Sequence, residues 1–272
     1  MTMVARDINN TTTVGRNQSR VRTTVQYAAG FTIMTLGTLL TLVIAILTLF
    51  QMRRFYSEVM ARTMARMALR MVGIRIAVHT VDGAGDLSQR TTNGHEQVIP
   101  QVVYIANHAS TLDVFVLTAL GLPNTRFFLA GHLRRILPLG LLGYLAGVFW
   151  TVPQQYPEKR VRIFQLADRI LRRTGESVFL SPEGNKGRVG LIAPFNKGAF
   201  HLATRLSAPI IPLYIAIPSE INPGWGYEYR PGVVDVYFHS QVSTENWKLD
   251  DLLRHRDEMH HYFVELQKKY RC

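Results

Sequence analysis

Gln101-Val102-Val103-Tyr104-Ile105-Ala106-Asn107-His108-Ala109-Ser110-Thr111-Leu112-Asp113 is a short apolar run that stops at a polar turn and passes into helix-forming residues. A run of this length without polar interruption reads as a strand buried on both faces, and Leu112 to Leu120 as the helix after it. The same alternation extends in both directions. Upstream, Ile74 to Val78 reads as a strand that leads into a polar loop running to about Gln97. Downstream, Arg126 to Leu129 is a short strand, Lys159 to Arg173 an amphipathic helix and Ser177 to Leu180 a second buried strand. Phe195 to Leu206 is helical, Ile210 to Ile217 and Val233 to Phe238 are extended, and Leu249 to Tyr270 is a closing amphipathic helix. Alternation of this kind predicts an α/β domain over residues 73–272, with a mixed, largely parallel sheet flanked by helices.

The N-terminal quarter has a different chemistry. Residues 1–23, rich in Thr, Asn and Arg, read as a mobile basic tail. Tyr27 to Phe50 then carries 24 residues with no charge, about 36 Å of helix against a hydrocarbon layer about 30 Å thick. From Arg53 to Val72 a helix would fan Arg54, Glu58, Arg62, Arg66 and Arg70 over one side, with Tyr56, Met60, Met64, Met67 and Met71 on the other. That segregation suits a helix lying at an anionic bilayer surface; the alternative is a helix packing its Met face on the following domain. Residues 24–72 are therefore expected to form a membrane-associated helical pair. Within about 20 residues of its ends, three arginines (16, 20 and 22) precede the apolar run and five (53, 54, 62, 66 and 70) follow it, a bias that favours a cytoplasmic face for the domain that follows. The net charge of +12 is thus accounted for in part by a lipid bilayer, with no nucleic acid invoked.

Two segments carry residues suited to chemistry. His108 stands just past the strand end at Ala106, where open α/β sheets place their sites, and Asp113 follows five residues later. A carboxylate there would hold one imidazole nitrogen and leave the other as a general base for a hydroxyl. The alternative is structural: Ser110-x-x-Asp113 resembles a capping box, which would give Asp113 a purely helical task. The second segment, Leu180-Ser181-Pro182-Glu183-Gly184-Asn185-Lys186-Gly187-Arg188, also follows a buried strand. Its glycines permit close backbone approach and its cations suit an anionic ligand; an ordinary glycine-rich turn is the other reading. Cys272 is the only cysteine and no Gly-x-Ser-x-Gly elbow is present, which argues against thiol and elbow-type serine nucleophiles. His255, His260 and His261 lack metal-ligand spacing. Phe127, Phe128 and the apolar stretch from Leu137 to Trp150 would line an apolar tunnel or simply fill the core.

Asn107-His108-x4-Asp113, Pro182-Glu183-Gly184, Pro194-Phe195-Asn196-Lys197-Gly198-Ala199-Phe200 and Ala208-Pro209-Ile210-Ile211-Pro212 occur in the order and spacing of the glycerolipid acyltransferases. The chain resembles the lysophosphatidate (1-acylglycerol-3-phosphate) O-acyltransferases of that family from about Gln101 to Pro212. The resemblance implies transfer of a fatty acyl group from acyl-CoA or acyl carrier protein to a lysolipid hydroxyl, with no metal and no cofactor beyond the donor itself. His108 would be the base, Asp113 its orienting partner, and Glu183, Gly184, Asn185, Lys186, Arg188 and Lys197 the acceptor-binding set. Lysophosphatidate, giving phosphatidate in phospholipid biosynthesis, is the acceptor it points to.

The chain departs from the family pattern at two positions. Where relatives have an arginine after a Phe-Ile-Asp-like run, this chain has Gly147-Val148-Phe149-Trp150-Thr151-Val152-Pro153, and where they continue Thr-Arg it has Asn185-Lys186. Lysine has no bidentate fork, so Arg160, Arg188 or Lys197 would have to compensate, or the acceptor is a lysolipid without a phosphate monoester. A lipid hydrolase and a non-catalytic membrane-surface binding protein are the remaining alternatives.

Overall fold

A computed structural model describes residues 4–81, 100–184, 191–222 and 229–270, with side chains from residue 24 onward. Seven strands form one sheet: β1 (Ile74–Thr80), β2 (Val103–Ala106), β3 (Thr125–Ala130), β4 (Phe149–Thr151), β5 (Ser177–Leu180), β6 (Ile210–Ala216) and β7 (Gly232–Phe238). Their spatial order is β1-β7-β6-β2-β5-β3-β4, and every neighbouring pair is parallel except β6 with β7. The expected mixed, largely parallel sheet is present. The period-two alternation of side chains splits the core into two layers. Val103, Ile105, Val178 and Leu180 pack under α5 (Pro157–Thr174), α6 (Gly198–Leu206) and α7 (Leu252–Tyr270). Tyr104, Ala106, Phe179 and Leu213 pack under α2 (Arg62–Met71) and α3 (Asp113–Leu120).

Two elements of the domain escaped the sequence reading. The stretch from Leu137 to Trp150 contains α4 (Leu137–Leu145) and the edge strand β4, with a 3₁₀ turn at Gly131–Arg135 ahead of them. Continuous apolar character hides both, because no polar face marks the helix and three residues are too few to show a period. The helix expected from Phe195 begins at Gly198, and the closing helix expected from Leu249 opens with a 3₁₀ turn at Leu249–Asp251.

The N-terminal helix α1 runs from Val4 to Leu47. Residues 4–22, expected as a tail, thus continue the apolar helix; no proline stands before Pro100 to stop it. At the other end Leu49 and Phe50 adopt left-handed backbone angles (φ 51° and 60°). They end the helix and turn the chain back through a π-helical segment, Phe55–Ala61, into α2. The π segment shifts the helical register, so the expected division into an arginine face and a methionine face does not hold across residues 53–72. The buried positions are Tyr56, Ala61, Met64, Ala65 and Leu69, while Met67 is exposed. Arg66 donates from Nε to the carbonyl of Ala119 (2.9 Å) at the carboxyl end of α3, where the helix dipole favours a cation.

This return path lies along α1 for most of its length. Gln26 donates to the carbonyl of Met71 (2.9 Å), Gly37 meets the thioether of Met64, and Thr48 and Tyr56 share a hydroxyl contact of 2.6 Å. A Cβ at Gly37 would meet the Met64 thioether, so the absence of a side chain at residue 37 eases the close approach of the two helices. Thr38 and Ala45 face inward, with Thr38 donating to the carbonyl of Pro138 in α4 (3.3 Å). Leu36, Leu39, Leu40, Val43, Ile46 and Leu47 face outward and are exposed. The fully buried positions of the helix are small or hydroxyl-bearing (Thr38, Thr41 and Ala45), Leu42 and Ile44 are partly buried beside them, and most of the large aliphatic residues face outward.

A buried ion cluster ties this hairpin to the sheet. Glu176, just before β5, pairs one carboxylate oxygen with Arg53 and the other with Arg126, and Thr174 donates to it at 2.9 Å. Burial, with Arg126 next, lowers the Arg53 guanidinium to about 10. Removing the shared carboxylate leaves two buried guanidiniums without a counter-charge. Glu176→Gln is expected to cost about 3–5 kcal/mol, read as a lower Tm in detergent solution; a Tm equal to wild type would show that the cluster contributes nothing.

Candidate active site

Parallel pairing of β2 with β5 places Ile105 opposite Leu180. Three residues further along each strand stand His108 and Glu183, at the same level of the sheet's carboxyl edge. The backbone N–H of His108 donates to Glu183 Oε1 (2.7 Å), and the N–H of Ala193 donates to Oε2 (2.8 Å). Glu183 is buried. Burial raises its pKa, opposed by those two backbone hydrogen bonds. Asn196 fastens the same turn, donating its amide to the carbonyls of Pro182 (2.9 Å) and Glu183 (3.1 Å). On the other side of β2, Asn107 acts as an additional peptide unit. Its Nδ2 donates to the carbonyl of Ile215 (3.0 Å) and its Oδ1 accepts from the Ile215 N–H (2.8 Å), extending the β2–β6 pairing past the strand end.

The loop held in this way presents His108. Its Nδ1 lies 2.8 Å from Asp113 Oδ2, which also accepts the backbone N–H of Ser110 at 2.9 Å. Asp113 is therefore not confined to a helical task. One oxygen forms the reciprocal half of a capping box and also orients the imidazole. An ionised carboxylate only accepts, so Nδ1 carries the proton and Nε2 presents a lone pair. The other oxygen, Oδ1, is buried with no hydrogen-bond partner among the described residues, which leaves negative charge available to stabilise an imidazolium. Asp113 is nearly inaccessible, whereas the His108 side chain keeps 25% exposure, enough to meet a substrate.

His108 opens on a cavity between α3, the sheet edge and α5. Its walls are largely apolar, with Leu117, Phe127, Phe128, Leu133 and Phe164 among them. Gly184 lines it too, in a left-handed conformation (φ 74°) that a larger residue rarely adopts. The Ser110 hydroxyl is engaged, donating to Asn222 Oδ1 (2.9 Å) and accepting from the N–H of Leu112 (3.1 Å), whereas the Ser181 hydroxyl in the cavity wall is buried with no hydrogen-bond partner among the described residues. The His108 imidazole bonds to Asp113 and to no hydroxyl among the described residues, which favours a base that acts directly on a substrate proton.

Of the remaining expected site residues, Glu183 belongs to the framework, because both its oxygens are spent on backbone amides. Lys197 is exposed and outside the cavity wall. Asn185, Lys186 and Arg188 lie outside the described residues. Phe127 and Phe128 line the cavity, whereas no residue from Leu137 to Trp150 does; that stretch packs instead on α1, the π-helical segment and β3. His255 stacks on Trp247 with ring centroids 3.9 Å apart, and His260 stands edge-on to Phe195. Arg160, noted in the sequence only as a possible compensating cation, is part of the cavity wall.

An oriented imidazole at the carboxyl edge of a parallel sheet, facing an apolar cavity, defines an α/β domain equipped for general-base chemistry on an amphiphile. Residues 89–216 match the model of the Acyltransferase family. It is 35% identical over 152 residues to human 1-acyl-sn-glycerol-3-phosphate acyltransferase beta, covering 55% of this chain and 54% of that one. To 1-acyl-sn-glycerol-3-phosphate acyltransferase of Cocos nucifera it is 24% identical over 180 residues, 64% of this chain and 56% of the relative. The chain thus spans little more than half the length of these relatives. The crystal structure of the 1-acyl-sn-glycerophosphate acyltransferase PlsC from Thermotoga maritima shares the fold, with a TM-score of 0.62 at 18% identity, over 86% of this chain and 95% of that one.

His108→Ala is expected to lower turnover by about 10²–10⁴, the usual contribution of a positioned general base. Asp113→Asn should cause a comparable loss, because an amide can impose the wrong tautomer on the imidazole. Both are read as kcat on protein whose Tm confirms folding. Full activity in folded His108→Ala would refute the assignment of the base.

Proposed function

We propose that the protein is a membrane-held O-acyltransferase that moves a fatty acyl group from acyl-CoA or acyl carrier protein to the free hydroxyl of lysophosphatidate, giving phosphatidate. The observation that carries this reading is the Asp113-oriented His108 at the mouth of an apolar cavity. His108 Nε2 takes the hydroxyl proton as the oxygen attacks the thioester carbonyl. The tetrahedral intermediate then collapses, the C–S bond breaks, and the thiolate leaves with the proton returned by the imidazolium. Charge is balanced throughout, and no acyl-enzyme is formed. The curated relatives bear the name of this reaction's acceptor, which supports lysophosphatidate over other lysolipids.

Labelled acyl-CoA supplied with lysophosphatidate should give labelled phosphatidate, and without acceptor should release little free fatty acid. Rapid acceptor-independent release would identify a hydrolase. Binding of both lipids with neither product would leave only a lipid-binding protein.

Thr24–Leu47 is long and apolar enough to cross a bilayer. Its antiparallel contact with Tyr56, Met64 and Met71 favours a different placement, with the hairpin dipping into one leaflet. A vertical span would draw α2, with exposed Arg66 and Arg70, into hydrocarbon beside it. The exposed apolar face of α1, together with Leu49, Phe50, Leu137 and Tyr144, supplies a surface for such embedding. We expect the protein to resist extraction by salt, and protease tags at the N- and C-termini to be cleaved from the same side of sealed vesicles. Cleavage from opposite sides would establish a span.

A further inference from the structure

We propose that Arg160 is the cation that holds the acceptor's phosphate, a reading that rests on the acyltransferase assignment above. Arg160 lies in the first turns of α5, and its side chain lines the cavity that His108 opens on. Among the described cavity-lining residues it is the only lysine or arginine. The one carboxylate in that wall, Asp113, is already bonded to His108 and to the N–H of Ser110.

Among the described residues, the other cations nearby are engaged or stand outside the wall. Arg126 is paired with Glu176, Lys159 sits 5.0 Å over the ring of Tyr156, and Lys197 lies outside the cavity wall. Arg160 has no carboxylate partner among the described residues. One of its N–H groups donates to the carbonyl of Val152 (3.2 Å), at the residue next to Pro153. A guanidinium has five N–H donors, so this bond steadies the side chain and leaves the larger part of the fork for a ligand.

The rest of the cavity specifies what kind of ligand that is. A general base marks where the reacting hydroxyl must lie, and aromatic and aliphatic walls accept an acyl chain. A planar cation in the same enclosure suits a phosphate monoester, which it can bind through two parallel hydrogen bonds. Lysophosphatidate carries its phosphate and its free hydroxyl on adjacent carbons, so a single cavity has to serve both groups. Coenzyme A also bears a phosphate monoester, but the donor approaches through its thioester carbonyl. The cation in the base's own cavity is therefore assigned to the acceptor. In this chain the guanidinium comes from a helix seven residues beyond Pro153, which explains how an uncharged residue is tolerated at 153.

The test compares wild type, Arg160→Gln and Arg160→Lys in detergent micelles, with lysophosphatidate and with monoacylglycerol of the same chain as acceptors. Arg160→Gln should raise KM for lysophosphatidate tenfold or more, leaving KM for acyl-CoA and the rate with monoacylglycerol within twofold. Arg160→Lys should recover part of the loss, since it restores charge without the fork. Equal losses with both acceptors would reduce Arg160 to a structural role, and a rise confined to KM for acyl-CoA would assign it to the donor. Either result, or no change at all, overturns the proposal. Equilibrium binding of lysophosphatidate to His108→Ala, with and without Arg160→Gln, separates this inference from the assignment of the reaction. Weaker binding in the double variant supports Arg160 even if wild type transfers no acyl group, and equal binding refutes it.

Discussion

The parallel register between β2 and β5 is the constraint on which the site depends. Because Ile105 lies opposite Leu180, the two strands end at one level, and the third residue beyond each meets its counterpart. The buried Glu183 carboxylate converts this coincidence of level into a fixed junction, one oxygen to the loop of His108 and the other to Ala193. A slip of one residue would turn every strand side chain to the opposite face and carry Glu183 away from the His108 amide. Asn107 performs a similar task toward β6 through its paired bonds with Ile215. The imidazole therefore stands on a platform assembled by three strands, while Asp113 sets its rotation. Preorganisation of this kind is what the proposed general-base role of His108 requires.

The N-terminal hairpin depends on a second constraint, the shared carboxylate of Glu176. Arg53 reaches it from the end of the hairpin turn and Arg126 from β3. The apolar hairpin is thereby bonded to the residue preceding β5, the strand that delivers Glu183 to the site. If the hairpin embeds in a leaflet as proposed, this bond fixes the height of the cavity mouth above it. The inward stripe of Gly37, Thr38 and Ala45 against Met64 and Pro138 makes the attachment close rather than loose. Large aliphatic residues on the outer face would be costly in water and favourable in a leaflet.

Much of this was legible in the chain itself. Strands β2 and β5 announce themselves as uninterrupted apolar runs, α5 and α7 by helical periodicity, and His108 with Asp113 by their position after a strand. What stayed hidden has physical causes. α4 and β4 carry no amphipathic signal, since both pack on apolar neighbours. The left-handed pair at Leu49 and Phe50 has no glycine to mark it, so the reversal of α1 onto α2 could not be foreseen. The one-residue shift of the π segment then redistributed the faces drawn for residues 53–72.

Glu183 shows the division most clearly. Next to glycine in a loop with cations, it read as a ligand contact, because sequence reports which groups are present and not which way they face. Only the register of two strands 75 residues apart in sequence turned both its oxygens toward backbone amides and made it part of the frame. Arg160, one of three candidate compensating cations in the sequence, is the one of them that the described structure places in the cavity wall. Periodicity, charge order and the position of turns are local properties, so residue order alone determined the α/β alternation, the apolar N-terminal helix and the pairing of His108 with Asp113. Which side chains share one enclosure depends on strand order and on the packing of α5 against the sheet. Those are long-range contacts, and the tertiary structure alone decided them.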